Sequence, residues 1–245
     1  MSGHELHNAE GHRALELPQP LFLPVAGAAL VLHGGRADSL TPPPLLNLPG
    51  LRMRPLARAL NQDPLFADVL VASVRYRMRG WNGQWADPVQ DARRALEELR
   101  AVAGPIPVVL VGHSTGARAA LRAADDPHVQ GVVALAPWCP PGEPVKHLAG
   151  CTVMALHDES DRITTATDTW SYLRRARAAG GRVRRIRMPR GRHAMIREAR
   201  LWHRLTTACA ATALGLAEPP GGGQSEETAW RTELVDAADV PLHGR

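Results

Sequence analysis

The chain has 245 residues, enough for one large α/β domain or two small ones. A hydrophobic share of 44% with 22% charged residues is that of a folded globular protein and excludes a wholly disordered or fibrous chain. The formal net charge is +5, but Lys146 is the only lysine, so the basicity is arginine in an Ala-, Gly- and Pro-rich composition and reads as compositional bias.

No RNA- or DNA-reading motif accompanies that charge, and no nucleic-acid partner is expected. Cys139, Cys151 and Cys209 are odd in number and lack metal-ligand spacing, so they read as reduced structural thiols. No metal or cofactor motif is present, and none is expected. The first twenty residues lack an apolar leader core, and the longest apolar run, 25–32, is far too short to span a bilayer. The expectation is a cytoplasmic protein without a membrane partner.

Residues 1–22 read as a weakly ordered N-terminal segment, in which 15–23 could hold one or two edge strands despite prolines at 18 and 20. A buried strand over 28–32 then runs into His33-Gly34-Gly35. A helix is predicted over 55–60, with Pro55 in its first turn. A strand follows over 69–76. The spacing of Val89, Ala92, Leu96, Leu99 and Ala103 predicts an amphipathic helix over 87–103. Further strands are predicted over 106–111, 131–136, 152–156 and 183–188, and helices over 114–124, 167–179 and 194–216. Strands alternate with helices and are continuous apolar runs, which points to a mostly parallel sheet covered on both faces. Residues 23–217 therefore form one α/β domain. The Pro- and Gly-rich stretch 218–245 reads as a disordered tail.

The strongest local signal is the run from Val108 to Ala117. An apolar strand enters Gly112-His113-Ser114-Thr115-Gly116, and a helix follows. A serine on a tight strand-to-helix turn has its hydroxyl pushed into the open. Residues two before and two after it then lie close together, which suits glycine. The helix N-terminus aims its free N–H groups at the same place, so the Thr115 N–H is a candidate oxyanion donor.

This segment resembles the nucleophile elbow of the α/β-hydrolase superfamily. The resemblance extends from 28 to about 216. It implies the α/β-hydrolase fold and a Ser, acid, His order along the chain. The acid falls in His157-Asp158-Glu159-Ser160-Asp161, similar to the superfamily's loop after the corresponding strand. That alignment gives Asp161 as the acid, with Asp158 standing where glycine is usual and remaining the alternative. Asp tolerates φ > 0, so the departure is mild. His193, between the last strand and the last helix, is implied as the base. His113 beside the nucleophile is expected to pack inward, and His157 to brace the acid loop. His33-Gly34-Gly35 resembles the superfamily's oxyanion loop and implies a second donor from Gly35 or its neighbour Arg36.

Three tryptophans, Trp81, Trp85 and Trp138, fall on loops after strands, where ligands of open α/β sheets bind. They are expected either to line a substrate pocket or to cover the end of the sheet. The stretch 137–150 is too short for a cap domain, so the site is expected to be open, as in dienelactone-hydrolase-like and small carboxylesterase-like members. The segment 174–192 holds nine arginines and no acid and reads as a solvated edge. The implied function is a serine hydrolase cleaving a small ester or related acyl substrate through an acyl-enzyme on Ser114. An acyltransferase or perhydrolase on the same three residues, and a non-catalytic binding protein on this scaffold, are the alternatives.

Overall fold

The apolar runs become the middle of one sheet. A computed structural model of the protein describes residues 11–44, 46–217 and 232–234. Among them the strands are β1 (Leu15–Glu16), β2 (Gly27–Leu32), β3 (Val69–Val74), β4 (Val108–His113), β5 (Val129–Leu135), β6 (Thr152–Asp158), β7 (Arg182–Met188) and β8 (Thr232–Leu234). Their order across the sheet is β1-β3-β2-β4-β5-β6-β7-β8. Edge strands β1 and β8 run antiparallel to their neighbours, and the six between are parallel. The fold is that of an α/β hydrolase.

The helices are α1 (Leu48–Gln62), α2 (Asp87–Ala103), α3 (Thr115–Ala123), α4 (Ala166–Ala178) and α5 (Ala199–Ala213). Successive side chains of a strand point to opposite faces, and the core divides accordingly. Leu30, Leu32 and Leu110 pack with residues of α2, α3 and α4 on one face. Val31, Val109 and Val111 pack with Met53, Leu56 and Leu60 of α1 and Trp202 and Leu205 of α5 on the other. Both faces are covered, which explains why the central strands read as unbroken apolar runs.

Chain direction through the sheet reverses its order between β2 and β4. The loops after those two strands therefore diverge and leave a crevice at their carboxyl ends. They are the loops that begin at His33 and Ser114.

Three predicted boundaries require correction. The first helix begins at Leu48, well before Pro55, because Pro49 occupies its first turn. Pro55 lies inside the helix, where it lacks the N–H that would bond to the Leu51 carbonyl. The last helix begins at Ala199, not 194, because Met195 and Glu198 adopt φ of 57° and 59° and cannot continue a helix. Within the stretch expected as a tail, Thr232–Leu234 pairs with β7. The rest of that stretch lies outside the described residues. The cysteines are free and buried, and burial pushes the Cys151 and Cys209 thiols up to about 11 and about 12.

Candidate active site

Strand β4 delivers Ser114 into a turn that few residues adopt. Its φ is 58° and ψ −119°, and it caps α3. Such strain costs on the order of 1–3 kcal/mol and persists only where neighbours hold it. The Ser114 N–H donates to the Leu135 carbonyl at 3.0 Å. Its own carbonyl accepts from the N–H groups of Arg118 (3.1 Å) and Trp138 (3.2 Å). The flanking glycines are required by close approach. A Cβ on Gly116 would strike the His33 and Leu32 carbonyls, and one on Gly112 would strike Gly116 and Ala117 of α3.

His193 stands over this serine. Its Nε2 is 3.0 Å from Ser114 Oγ, and its Nδ1 is 2.9 Å from Asp161 Oδ2. With Nδ1–H donating to the carboxylate, Nε2 is left to accept the serine proton. Ser114 is only 7% exposed and Asp161 is buried. Burial by itself pushes the Asp161 carboxyl up. Hydrogen bonds from His157, His193 and the Ile163 N–H outweigh it and hold the group well below the usual carboxylate range. The carboxylate is thus kept ionised beside the imidazole.

Asp158 does not reach His193. Its Oδ1 accepts from the N–H and hydroxyl of Ser160, and its Oδ2 accepts from the Arg192 N–H at 2.7 Å. It fastens the segment that carries His193. His157 is fully buried, with Nε2 3.2 Å from Asp161 Oδ2 and Nδ1 2.8 Å from Thr169 Oγ1, and so it braces the acid. His113 points inward, and its Nε2–H donates to the His193 carbonyl at 2.8 Å. Burial, then the nearby His193, pushes the His113 imidazole down to about 3, so it is neutral. Thr164 was not singled out in the sequence. Its Oγ1 lies 3.0 Å from Asp161 Oδ2 and 3.1 Å from His193 Nδ1. No motif marks that threonine, and only its position three residues after the acid hints at it.

The loop after β2 lies alongside. Gly34 packs against His113 and Ser114, and Gly35 lies against Arg79 and Thr115. The Arg36 N–H is spent on the Arg79 carbonyl at 2.8 Å, which removes Arg36 from the candidate donors. A cavity of about 240 Å³ opens here, lined by Gly34, Gly35, Arg36 and Arg79 among others. His33 bonds to Gly34 and Asn47 and stays out of the contact with Ser114.

Of the two roles expected for the tryptophans, the surroundings of Trp81 and Trp138 favour packing. Trp81 is buried, its ring 6.1 Å from that of Trp138. The Arg118 guanidinium sits over both, 3.7 Å from the Trp81 centroid and 4.3 Å from that of Trp138. Arg118 and Arg122 in turn pair with buried Glu143. The two rings therefore flank a buried charge, and neither they nor Trp85 line the cavity beside Gly35. The segment that could have held a cap is clamped onto α3 by this cluster. Trp170 and Trp202 are core residues.

The arginine-rich stretch is in part engaged. The Arg175 side chain donates to the Glu143 carbonyl at 2.6 Å, and Arg187 lies 3.4 Å from Glu159. Among the described residues no group of three His, Cys, Asp or Glu side chains could hold a metal ion, and no helix is long and apolar enough to cross a membrane.

A serine on a strained elbow, a buried carboxylate and an imidazole thus follow one another along the chain, as Ser114, Asp161 and His193. The model of the alpha/beta hydrolase family matches residues 29–241. The chain belongs to that family. In structure the chain is similar to an a/b serine hydrolase without a lid from Xanthomonas campestris, at 20% identity and a TM-score of 0.53 over 81% of this chain and 87% of that one. It is also similar to an esterase of Pyrobaculum calidifontis, at 16% identity and a TM-score of 0.59, covering 86% and 89%. A third is the esterase Est2 of Thermogutta terrifontis with butyrate bound, at 16% identity and a TM-score of 0.60, covering 84% and 90%. At these identities the likeness is one of fold. A search of curated protein sequences finds no significant match.

Proposed function

We propose that this alpha/beta hydrolase cleaves esters of small carboxylic acids through an acyl-enzyme on Ser114. The observation that carries the reading is the pair of contacts on His193, to Ser114 Oγ at 3.0 Å and to Asp161 Oδ2 at 2.9 Å. His193 Nε2 takes the serine proton as Oγ attacks the acyl carbonyl. Ionised Asp161 steadies the imidazolium that forms. The proton then passes to the leaving alkoxide, which departs as the alcohol. Water, deprotonated by His193, attacks the acyl-serine; the bond to Oγ breaks, His193 returns the proton to Oγ, and the acid is released.

The oxyanion of each tetrahedral intermediate needs two donors. Gly35 and Thr115 supply them in this proposal. Neither N–H has an acceptor among the described residues, and Gly35 lies against Thr115. Such donors act most strongly where water is excluded. The short 137–150 connection leaves the site without a cap, which favours a small substrate entering from solvent.

The test is hydrolysis of 4-nitrophenyl butyrate. Wild type is expected to turn it over, with Ser114→Ala and His193→Ala at background. Wild-type activity that survives in both variants, or is absent altogether, would refute the proposal.

A further inference from the structure

Helices α1 and α5 do not close completely on the face of the sheet behind His193. Between them lies a cavity of about 290 Å³, close to the lower end of the ligand-pocket range of about 300–1,000 Å³. Its walls follow helical spacing. Pro55 and Leu56 come from α1, and Ala199 and Trp202 from α5. Leu135, at the end of β5, contributes beneath them. The small Ala199 and the ring of Pro55 leave the gap that larger side chains would fill. Thr206 also lines it, but its hydroxyl is spent on the Trp202 carbonyl at 2.7 Å. The lining is therefore apolar, and an apolar cavity of about 150 Å³ is already large enough for benzene.

Besides Thr206, two polar side chains border this cavity, Arg52 and His203. Arg52 is half-buried, and no carboxylate pairs with it among the described residues. Burial pulls its guanidinium below the usual arginine range. An unpaired, partly desolvated guanidinium beside an apolar chamber is an anion receptor with an alkyl or aryl slot attached.

We propose that this cavity binds a small amphipathic carboxylate, its apolar part between α1 and α5 and its head group on Arg52. The site is distinct from the one at Ser114 and does not rest on the ester-hydrolase reading. It is wired to the base all the same. Met195 lines the cavity two residues from His193, and its N–H donates to the Gly191 carbonyl at 2.9 Å. The Trp202 indole N–H donates to the Arg190 carbonyl at 2.8 Å. Gly191, at φ 129°, leaves no room for a side chain against that indole. An occupant would press on the residues that hold the His193 loop.

Octanoate and 1-octanol, equal in length and differing in charge, are the probes. Each is titrated into ¹⁵N-labelled full-length protein while the Trp202 indole and the Met195 and Ala199 amides are followed. Octanoate is expected to shift these signals saturably and to bind at least tenfold more tightly than octanol. Arg52→Gln, a change at a half-buried position, is expected to erase that difference, and Ala199→Phe to abolish the shifts. If Ala199→Phe fails to fold, Arg52→Gln decides alone. Three results would overturn the proposal: no saturable shift at Trp202 at millimolar octanoate, shifts confined to Gly34, Gly35 and Thr115, or unchanged octanoate affinity in Arg52→Gln.

Discussion

The Nε2–H of His113 donates to the backbone carbonyl of His193 at 2.8 Å. The residue before the candidate nucleophile thus holds the candidate base by its main chain. The bond needs a proton on Nε2, and burial, which pushes the imidazole down to about 3, keeps the ring neutral with that proton on Nε2.

Acid stability follows from this. The His113 value is depressed in the folded state relative to about 6.5 unfolded. Between those values the unfolded chain binds a proton that the folded one refuses, so stability rises with pH there. The contribution is complete above about pH 6.5 and declines toward pH 3 by about 1.4 kcal/mol per pH unit. Urea unfolding from pH 7 to pH 4.5 is expected to show wild type losing stability more steeply than His113→Gln. Parallel pH profiles would count against a neutral, buried His113.

The two loop aspartates are expected to separate cleanly. Asp161→Asn removes the charge facing His193 Nδ1 and is expected to lower kcat by roughly 10³–10⁴. Asp158→Asn keeps an oxygen that can accept the Arg192 N–H, and kcat is expected within about tenfold of wild type, a difference of ~1.4 kcal/mol or less. Asp158→Ala loses that acceptor and is expected to fall further. Steady-state kinetics on 4-nitrophenyl butyrate measures all three, and equal losses in the two Asn variants would contradict these separate tasks.

Neighbouring glycines make a second contrast. A Cβ on Gly34 would sit 3.2 Å from His113 Nδ1 and 3.3 Å from Ser114 Cβ, tight contacts that yield to a shift of a few tenths of an ångström. A Cβ on Gly35 would collide with the Arg79 carbonyl and displace the loop. Gly35→Ala is expected to cut kcat by ~10²–10³, the usual loss for one oxyanion donor. Gly34→Ala is expected to cost far less. The reverse ranking in the same assay would remove Gly35 from the proposed oxyanion site.

Much of this was legible from residue order alone. Gly112, Ser114 and Gly116 after an apolar strand marked the elbow, because glycines are needed where backbones meet. Asp161 and His193 were implied by the resemblance to the superfamily, through its chain order and loop positions, and the structure brings both into contact with each other and His193 into contact with Ser114. Asp158 was harder, since two carboxylates three residues apart cannot be told apart until the Arg192 amide is seen to take one. The tryptophans were less legible. Their position on loops after strands allowed a pocket or a cover for the end of the sheet, and nothing local predicts that Arg118, four residues past Ser114, turns inward between Trp81 and Trp138. The start of α5 was invisible too, because positive φ at Met195 and Glu198 is set by tertiary packing and not by propensity.

The cluster that replaces a cap is expected to be costly to break. Glu143→Gln weakens the acceptor for Arg118 and Arg122 and leaves buried positive charge beside Trp81 and Trp138. Removing one partner of a buried pair typically costs ~3–5 kcal/mol. Arg118→Met with Glu143→Gln is expected to be less destabilised than Glu143→Gln alone, because no guanidinium is then stranded between the rings. Urea midpoints of the single and double variants decide this, and additive losses would argue against the coupling.

The central claim is that Ser114 is an activated nucleophile, and covalent trapping tests it most directly. Full-length protein is treated with a fluorophosphonate, and the intact mass and the modified peptide are read by mass spectrometry. A single adduct on Ser114 is expected in wild type, with none in Ser114→Ala and slow formation in Asp161→Asn. An unmodified wild type, or an equal adduct in Ser114→Ala, would contradict the claim.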